Sequence, residues 1–207
     1  MKGGYIMTHI TARKLKALET KKALLETGLE LFDKKGFDNV TVEEIVKTCN
    51  VSKGAFYVHF NSKYDIFNEK FKDIDNFYSE FQKGISNDIK ASEKILIFFE
   101  AQMIYLRDEL GKDLIRTVYM NAMSLTINKN HYLSDPNRNL YQVINSFVQE
   151  GIKNKEFKEG LTTEEVSVLI TRCMRGTIYD WIIFGEQFDI VEEMNKFTST
   201  VLDGLKR

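Results

Sequence analysis

The chain has 207 residues, 43% of them hydrophobic, a single proline and a formal net charge of −1. That apolar content supports a sizeable core and excludes a disordered chain, and no apolar run approaches the roughly 20 residues that a membrane span needs. Residues 1–10 lack the apolar stretch of a signal peptide, and Cys49 and Cys173 lie too far apart in sequence for a metal-ligand motif, so a cytoplasmic protein with reduced, buried thiols is expected.

Residues 1–10 read as a flexible tail. A first helix is predicted over 11–35, with Leu24, Gly28, Leu31 and Phe32 on one face. Glycine inside a helix costs about 1 kcal/mol relative to alanine, so Gly28 implies a close helix crossing. Lys34, Lys35 and then Gly36 give a cationic last turn and a left-handed stop. Thr41, with Glu44 three residues on, reads as a capping box opening a brief second helix buried through Ile45 and Val46. Asn50 tolerates the left-handed backbone of a sharp turn, Val51 fills the angle, and Ser52 caps a third helix.

From Asn61 or Ser62 a single long helix is predicted, striped by Ile66, Phe67, Phe71, Ile74, Phe77, Phe81 and Ile85. Further helices follow around Ile95–Leu110, ended by Gly111, and around Leu114–Leu125. Asp135 and Pro136 read as the cap and first position of the next, which ends near Gly151. Thr162 with Glu165 forms a second capping box for a helix to Phe184, and a last helix runs over Asp189–Leu202. The prediction is an all-α fold of about nine helices and no sheet, with three segments: a tail (1–10), a small head (11–61) and a larger body (62–207).

The stretch 41–63 is the most informative. Two very short helices joined by a tight turn have the layout of a helix-turn-helix, whose second helix enters the DNA major groove. Charge is distributed accordingly: residues 1–63 hold 11 Lys+Arg against 7 Asp+Glu, and residues 64–207 hold 18 against 23. A basic end on an acidic remainder suits one DNA-facing surface. The small residues Ser52, Gly54 and Ala55 let the backbone approach base edges, and Lys53 can reach guanine or phosphate. Thr41, Tyr57, His59 and Lys63 are placed to hold the phosphate backbone, while Phe56 and Phe60 are expected on the buried side.

Leu31-Phe32, Gly36-Phe37, Ile45, Val51-Ser52, Gly54, Tyr57, His59-Phe60 and Ser62-Lys63 together resemble the signature of TetR-family transcriptional regulators, over about residues 20–67. Val46 and Cys49 stand where that family has alanines, Asn50 where it has glycine, and Ala55 where it has threonine. The last change removes a hydroxyl from the reading helix, so no operator sequence carries over. The resemblance implies an N-terminal DNA-binding head, a C-terminal domain for ligand binding and dimerisation, a homodimer through the last two helices, a palindromic double-stranded DNA operator, and release of a repressor by a small-molecule effector.

The residues of the second half agree with that frame in part. The Val166–Phe184 helix is apolar nearly all round, which requires burial on two sides. A dimer also meets the geometric need for two reading helices one DNA turn apart, roughly 34–36 Å. Tyr105, Tyr119, Arg175, Tyr179 and Trp181 combine ring faces with polar tips in otherwise apolar helices, the mix expected around a small hydrophobic or aromatic effector. Aromatic residues at helical spacing are more often plain core, and an arginine such as Arg175 can simply pair with a carboxylate. The alternative is a DNA-binding protein of the same shape governed by a protein partner or acting in chromosome organisation. Three scattered histidines (His9, His59, His131), two isolated cysteines and no phosphate-binding glycine loop argue against an enzyme, a metal or a cofactor.

Overall fold

A computed structural model describes residues 12–124, 133 and 135–207, and among the described residues there are helices and turns but no strand. The expectations for the tail, His9, Thr11, Leu125 and His131 lie outside the described residues. The chain divides into two compact units, with the boundary between Lys70 and Phe71.

The first unit holds α1 (Ala12–Lys35), a 3-10 turn (Phe37–Asn39), α2 (Val42–Thr48), α3 (Lys53–His59) and all but the last residue of α4 (Tyr64–Phe71). Helix α1 buries Leu24, Gly28 and Phe32, spaced by four, as its sequence pattern requires. Gly28 is where α4 crosses: a Cβ there would lie 2.5 Å from Ile66 Cδ1. Gly36, at φ 78°, ends α1 and lets Phe37 fold back onto Phe32 and Phe67, with ring centroids 5.0 and 4.8 Å away. Asn50 has the left-handed φ of 53° that the tight turn between α2 and α3 demands. The first capping box is half made: Thr41 Oγ1 accepts from the Glu44 N–H, but the Glu44 carboxylate is drawn to Lys35 instead.

The second unit holds α5 (Asp73–Gly84), α6 (Ala91–Tyr105) with a π-helical turn at Leu106–Leu110, α7 (Lys112–Ser124), α8 (Asn139–Lys153), α9 (Thr163–Phe184) and α10 (Ile190–Leu205). Helix α6 is the most enclosed, packing against both α8 and α10 and burying Ile95, Phe98, Phe99 and Met103. Helix α9 lies against α8 and α10. The start of α6 is capped from afar: both Glu156 carboxylate oxygens accept from the Ala91 and Ser92 N–H groups (2.9 and 3.1 Å), and buried Lys94 pairs with Glu150 at 2.8 Å. The Thr162–Glu165 capping box is complete, and Asp189 caps α10.

Two expected boundaries shift. The long helix predicted from residue 62 to 85 is two helices, α4 and α5, interrupted at Lys72, where the Asp75 N–H bonds to the Lys72 carbonyl. Phe71 and Ile74 on either side are both buried, so the apolar stripe continues unbroken across the interruption. Helix α8 starts at Asn139 rather than Pro136, because Asp135 turns its carboxylate onto the Asn137 N–H and forms its own turn.

Candidate nucleic-acid interface and a buried cavity

In the first unit, α3 is anchored by Phe56 and Phe60, which are fully buried, and this fixes which side faces outward. Ser52, Lys53, Gly54, Tyr57 and Val58 are exposed, with Ala55 and His59 half-buried beside them and Thr41 exposed at the start of α2. Ser52 and Thr41 each use an oxygen lone pair as a helix cap, accepting from the Ala55 and Glu44 N–H groups; their hydroxyl protons stay available to donate. Tyr57 lies edge-on against Phe56 and presents its phenol outward.

The two lysines of this surface differ. Lys53 is exposed and paired with Glu43; that contact holds the Glu43 carboxyl below its ordinary value and raises the Lys53 ammonium. Lys63 is partly buried, donating to the Phe37 and Val40 carbonyls at 2.7 and 2.8 Å with its nitrogen 4.2 Å above the Phe37 ring. It clamps the turn between α1 and α2, and one of its three N–H groups is left over. Sequence reasoning did not anticipate that clamp, since the carbonyls lie 26 and 23 residues away. It also passed over Val58, 77% exposed on the outward face, an apolar group of the kind that packs on a thymine methyl.

The second unit contains a small cavity of about 50 Å³. Its apolar wall includes Phe71, Leu106, Ile115, Leu140, Met174 and Ile178, and its polar groups come from Tyr78, Gln102, Tyr119, Arg138, Tyr141 and Arg175. Gln102 and Arg138 are buried, at 2% and 6% exposure. Gln102 Nε2 donates to the Tyr78 hydroxyl at 2.7 Å, while Gln102 Oε1 is buried and accepts no hydrogen bond. Arg138 stands 3.6 Å from Asp75 and lies over the Phe71 ring. Tyr141 donates to the Leu133 carbonyl. Burial pushes the Tyr119 phenol well above the ordinary tyrosine range, opposed by the nearby Arg175 and Arg138 guanidiniums.

Of the five residues expected around an effector, Tyr119 and Arg175 line this cavity, and Tyr105, Tyr179 and Trp181 do not. Tyr105 is stacked on Phe77 at 4.7 Å, Trp181 is packed into the core, and Tyr179 is 49% exposed. Arg175 and Tyr179, four apart on α9, therefore have different surroundings. Gln102 and Arg138 escaped notice in the sequence because a lone glutamine in an apolar helix and an arginine in a loop carry no local signal. Among the described residues no group of three metal-ligating side chains occurs.

Comparison with known proteins adds a third line. Residues 24–69 match the family model for bacterial regulatory proteins of the tetR family, and residues 118–207 match the C-terminal region of MAATS-type transcriptional repressors. The chain is 25% identical over 206 residues to the HTH-type transcriptional regulator AcrR of Shigella flexneri, covering 93% of each chain. In fold it is similar to FadR of Thermus thermophilus, a transcriptional repressor solved with lauroyl-CoA (TM-score 0.72, 18% identity, 90% of this chain and 96% of that one). It is also similar in fold to a transcriptional regulator from Saccharomonospora viridis solved with choline (TM-score 0.68, 21% identity, 92% of this chain and 100% of that one).

Proposed function

The chain belongs to the TetR family of bacterial regulatory proteins, and from that premise we propose that it is a homodimeric, sequence-specific DNA-binding repressor released from its operator by a small molecule. The observation that carries this reading is the pairing of two features in one chain: an outward α3 face of small, hydroxylic, aromatic and basic side chains, and a cavity with buried polar groups in the other unit. Ser52, Lys53, Gly54, Ala55 and Val58 are assigned to the base edges. Thr41, Tyr57, His59 and the remaining N–H of Lys63 are assigned to the phosphates of a palindromic operator.

Dimerisation is assigned to α9 and α10. Val168, Leu169, Ile183 and Phe184 on α9 and Phe197 on α10 are large apolar side chains left exposed on helices that already bury another face. A second copy of the chain supplies the missing cover and the second reading helix that a palindrome needs. Effector coupling is assigned to the segment around Lys72. Phe71 and Tyr78 of the cavity wall flank that interruption, and the helix ending at Phe71 begins in the head at Tyr64. An effector with higher affinity for one arrangement of these rings biases the helix, and that differential affinity sets the size of the response.

The test is fluorescence anisotropy with the DNA upstream of the protein's own reading frame, repeated across a salt series. Specific binding weakens steeply with salt, each neutralised phosphate adding about −0.9 to the log–log slope. Binding by Lys53→Ala and Tyr57→Phe that matches the wild type at every salt concentration refutes the contact assignment.

A further inference from the structure

Resting on the reading of this cavity as the effector site, we propose that its ligand is a small organic acid, the carboxylate meeting Arg175 and Tyr119 and the tail lying against Leu106, Ile115 and Ile178. Among the described residues, the cavity wall contains two guanidiniums, three phenols and one carboxamide, and no carboxylate. Asp75 stands beside Arg138 and offsets that charge. Arg175, a lining residue that is also exposed to solvent, has no ion-pair partner among the described residues and adds a positive charge to the cavity wall. A carboxylate gains charge-assisted hydrogen bonds from it that a neutral ligand cannot match, and a quaternary ammonium is repelled.

The other polar groups suit the same chemistry. Tyr119 is a neutral hydroxyl at pH 7, as a tyrosine ordinarily is, and a neutral hydroxyl donates to a carboxylate oxygen. Gln102, 2% exposed, has one amide atom engaged with the Tyr78 hydroxyl and one unmatched. Exchanging its oxygen and nitrogen leaves one atom unmatched in either orientation, so the ligand must offer a polar group or a bound water there. Size narrows the class: about 50 Å³ holds roughly three to five waters. The acid is therefore short-tailed, of butyrate size, since benzene takes a cavity of roughly 150 Å³, and benzoate marks the upper side of the size test.

Thermal-shift titration of the full chain at matched ionic strength tests this, with butyrate and benzoate each set against its neutral amide, and with choline and lauroyl-CoA alongside. We expect a saturable rise in melting temperature with one or both carboxylates, none with butyramide, benzamide or choline, and at least tenfold weaker binding in Arg175→Gln. Arg172→Gln, an exposed neighbour on the same helix, should bind as the wild type. Arg175 is itself largely exposed, so its variant is expected to fold, which an unchanged ligand-free melting curve verifies. Equal stabilisation by the amides, preference for choline or lauroyl-CoA, silence of both carboxylates, or undiminished binding in Arg175→Gln overturns the proposal. DNA release is read separately by anisotropy. A carboxylate that stabilises the protein without releasing DNA leaves this assignment standing and overturns the effector reading; release by a neutral or cationic probe does the reverse.

Discussion

Replacing Lys63 by methionine separates two tasks that a lysine can perform at the edge of a DNA-facing surface. Its ammonium donates to the Phe37 and Val40 carbonyls at 2.7 and 2.8 Å and sits 4.2 Å over the Phe37 ring. A hydrogen bond from a charged donor contributes about 1.5–3 kcal/mol when buried; partial exposure reduces each of these to about 1 kcal/mol. The cation–π contact adds about 0.5 kcal/mol, and methionine retains the apolar stem, so Lys63→Met should destabilise the chain by about 2.5 kcal/mol. Lys53→Met, by contrast, removes only an exposed partner of Glu43 and should leave stability unchanged while weakening specific DNA binding through the lost base contact. Urea unfolding followed by far-UV circular dichroism at fixed protein concentration reads the first effect as a shift in midpoint at constant m. A Lys63→Met midpoint equal to that of the wild type, or an equal loss in Lys53→Met, refutes the clamp.

At Gly28 a Cβ would fall 2.5 Å from Ile66 Cδ1. Alanine there gains about 1 kcal/mol of helix propensity against roughly 1–3 kcal/mol of overpacking; in an Ile66→Val background the clash is gone, so Gly28→Ala should become stabilising, and equal effects in the two backgrounds refute the crossing argument. Asp189 accepts from the Val191 and Glu192 N–H groups, and chiefly the latter holds its carboxyl below the ordinary 3.8. Asp189→Ala should cost about 1 kcal/mol at pH 7. Because the native value is depressed, the wild-type advantage is complete above 3.8 and fades as pH falls through the lower native value; urea midpoints at pH 7, 5 and 3 check that the gap narrows in acid. Ile183→Glu with Phe184→Glu places charges on side chains that are 58% and 62% exposed. Sedimentation velocity should then show a monomer with unchanged helix content, and a dimer of wild-type stability rules out this face.

What the sequence discloses is mostly what neighbours along the chain decide. Gly36 and Asn50 announce their left-handed backbone, and Ser52, Thr162 and Asp189 announce helix starts through bonds that span two or three residues. The interruption at Lys72 leaves no such trace, since the apolar stripe runs through it. The cavity is harder still. Its wall draws on residues from Phe71 to Ile178, and the properties that single out Gln102 are a burial and an unmatched oxygen that exist only once α5 and α6 have packed. Tyr105, Tyr179 and Trp181 carry the same local pattern as Tyr119; what distinguishes them is what each one meets, the Phe77 ring for Tyr105, the core for Trp181 and solvent for Tyr179.

The carboxylate of Glu156 should slow hydrogen exchange in the opening turn of α6. First-turn amides of a helix normally have no intrahelical acceptor and exchange quickly, whereas those of Ala91 and Ser92 are bonded to a residue 65 and 64 positions later. The Glu156 carbonyl in turn accepts from the Arg207 N–H, and Lys158 N–H bonds to the Leu205 carbonyl. Exchange at Ala91 and Ser92 thus becomes a reporter on the far end of the chain: a tag or truncation that disturbs residues 205–207 should speed deuterium uptake at the start of α6.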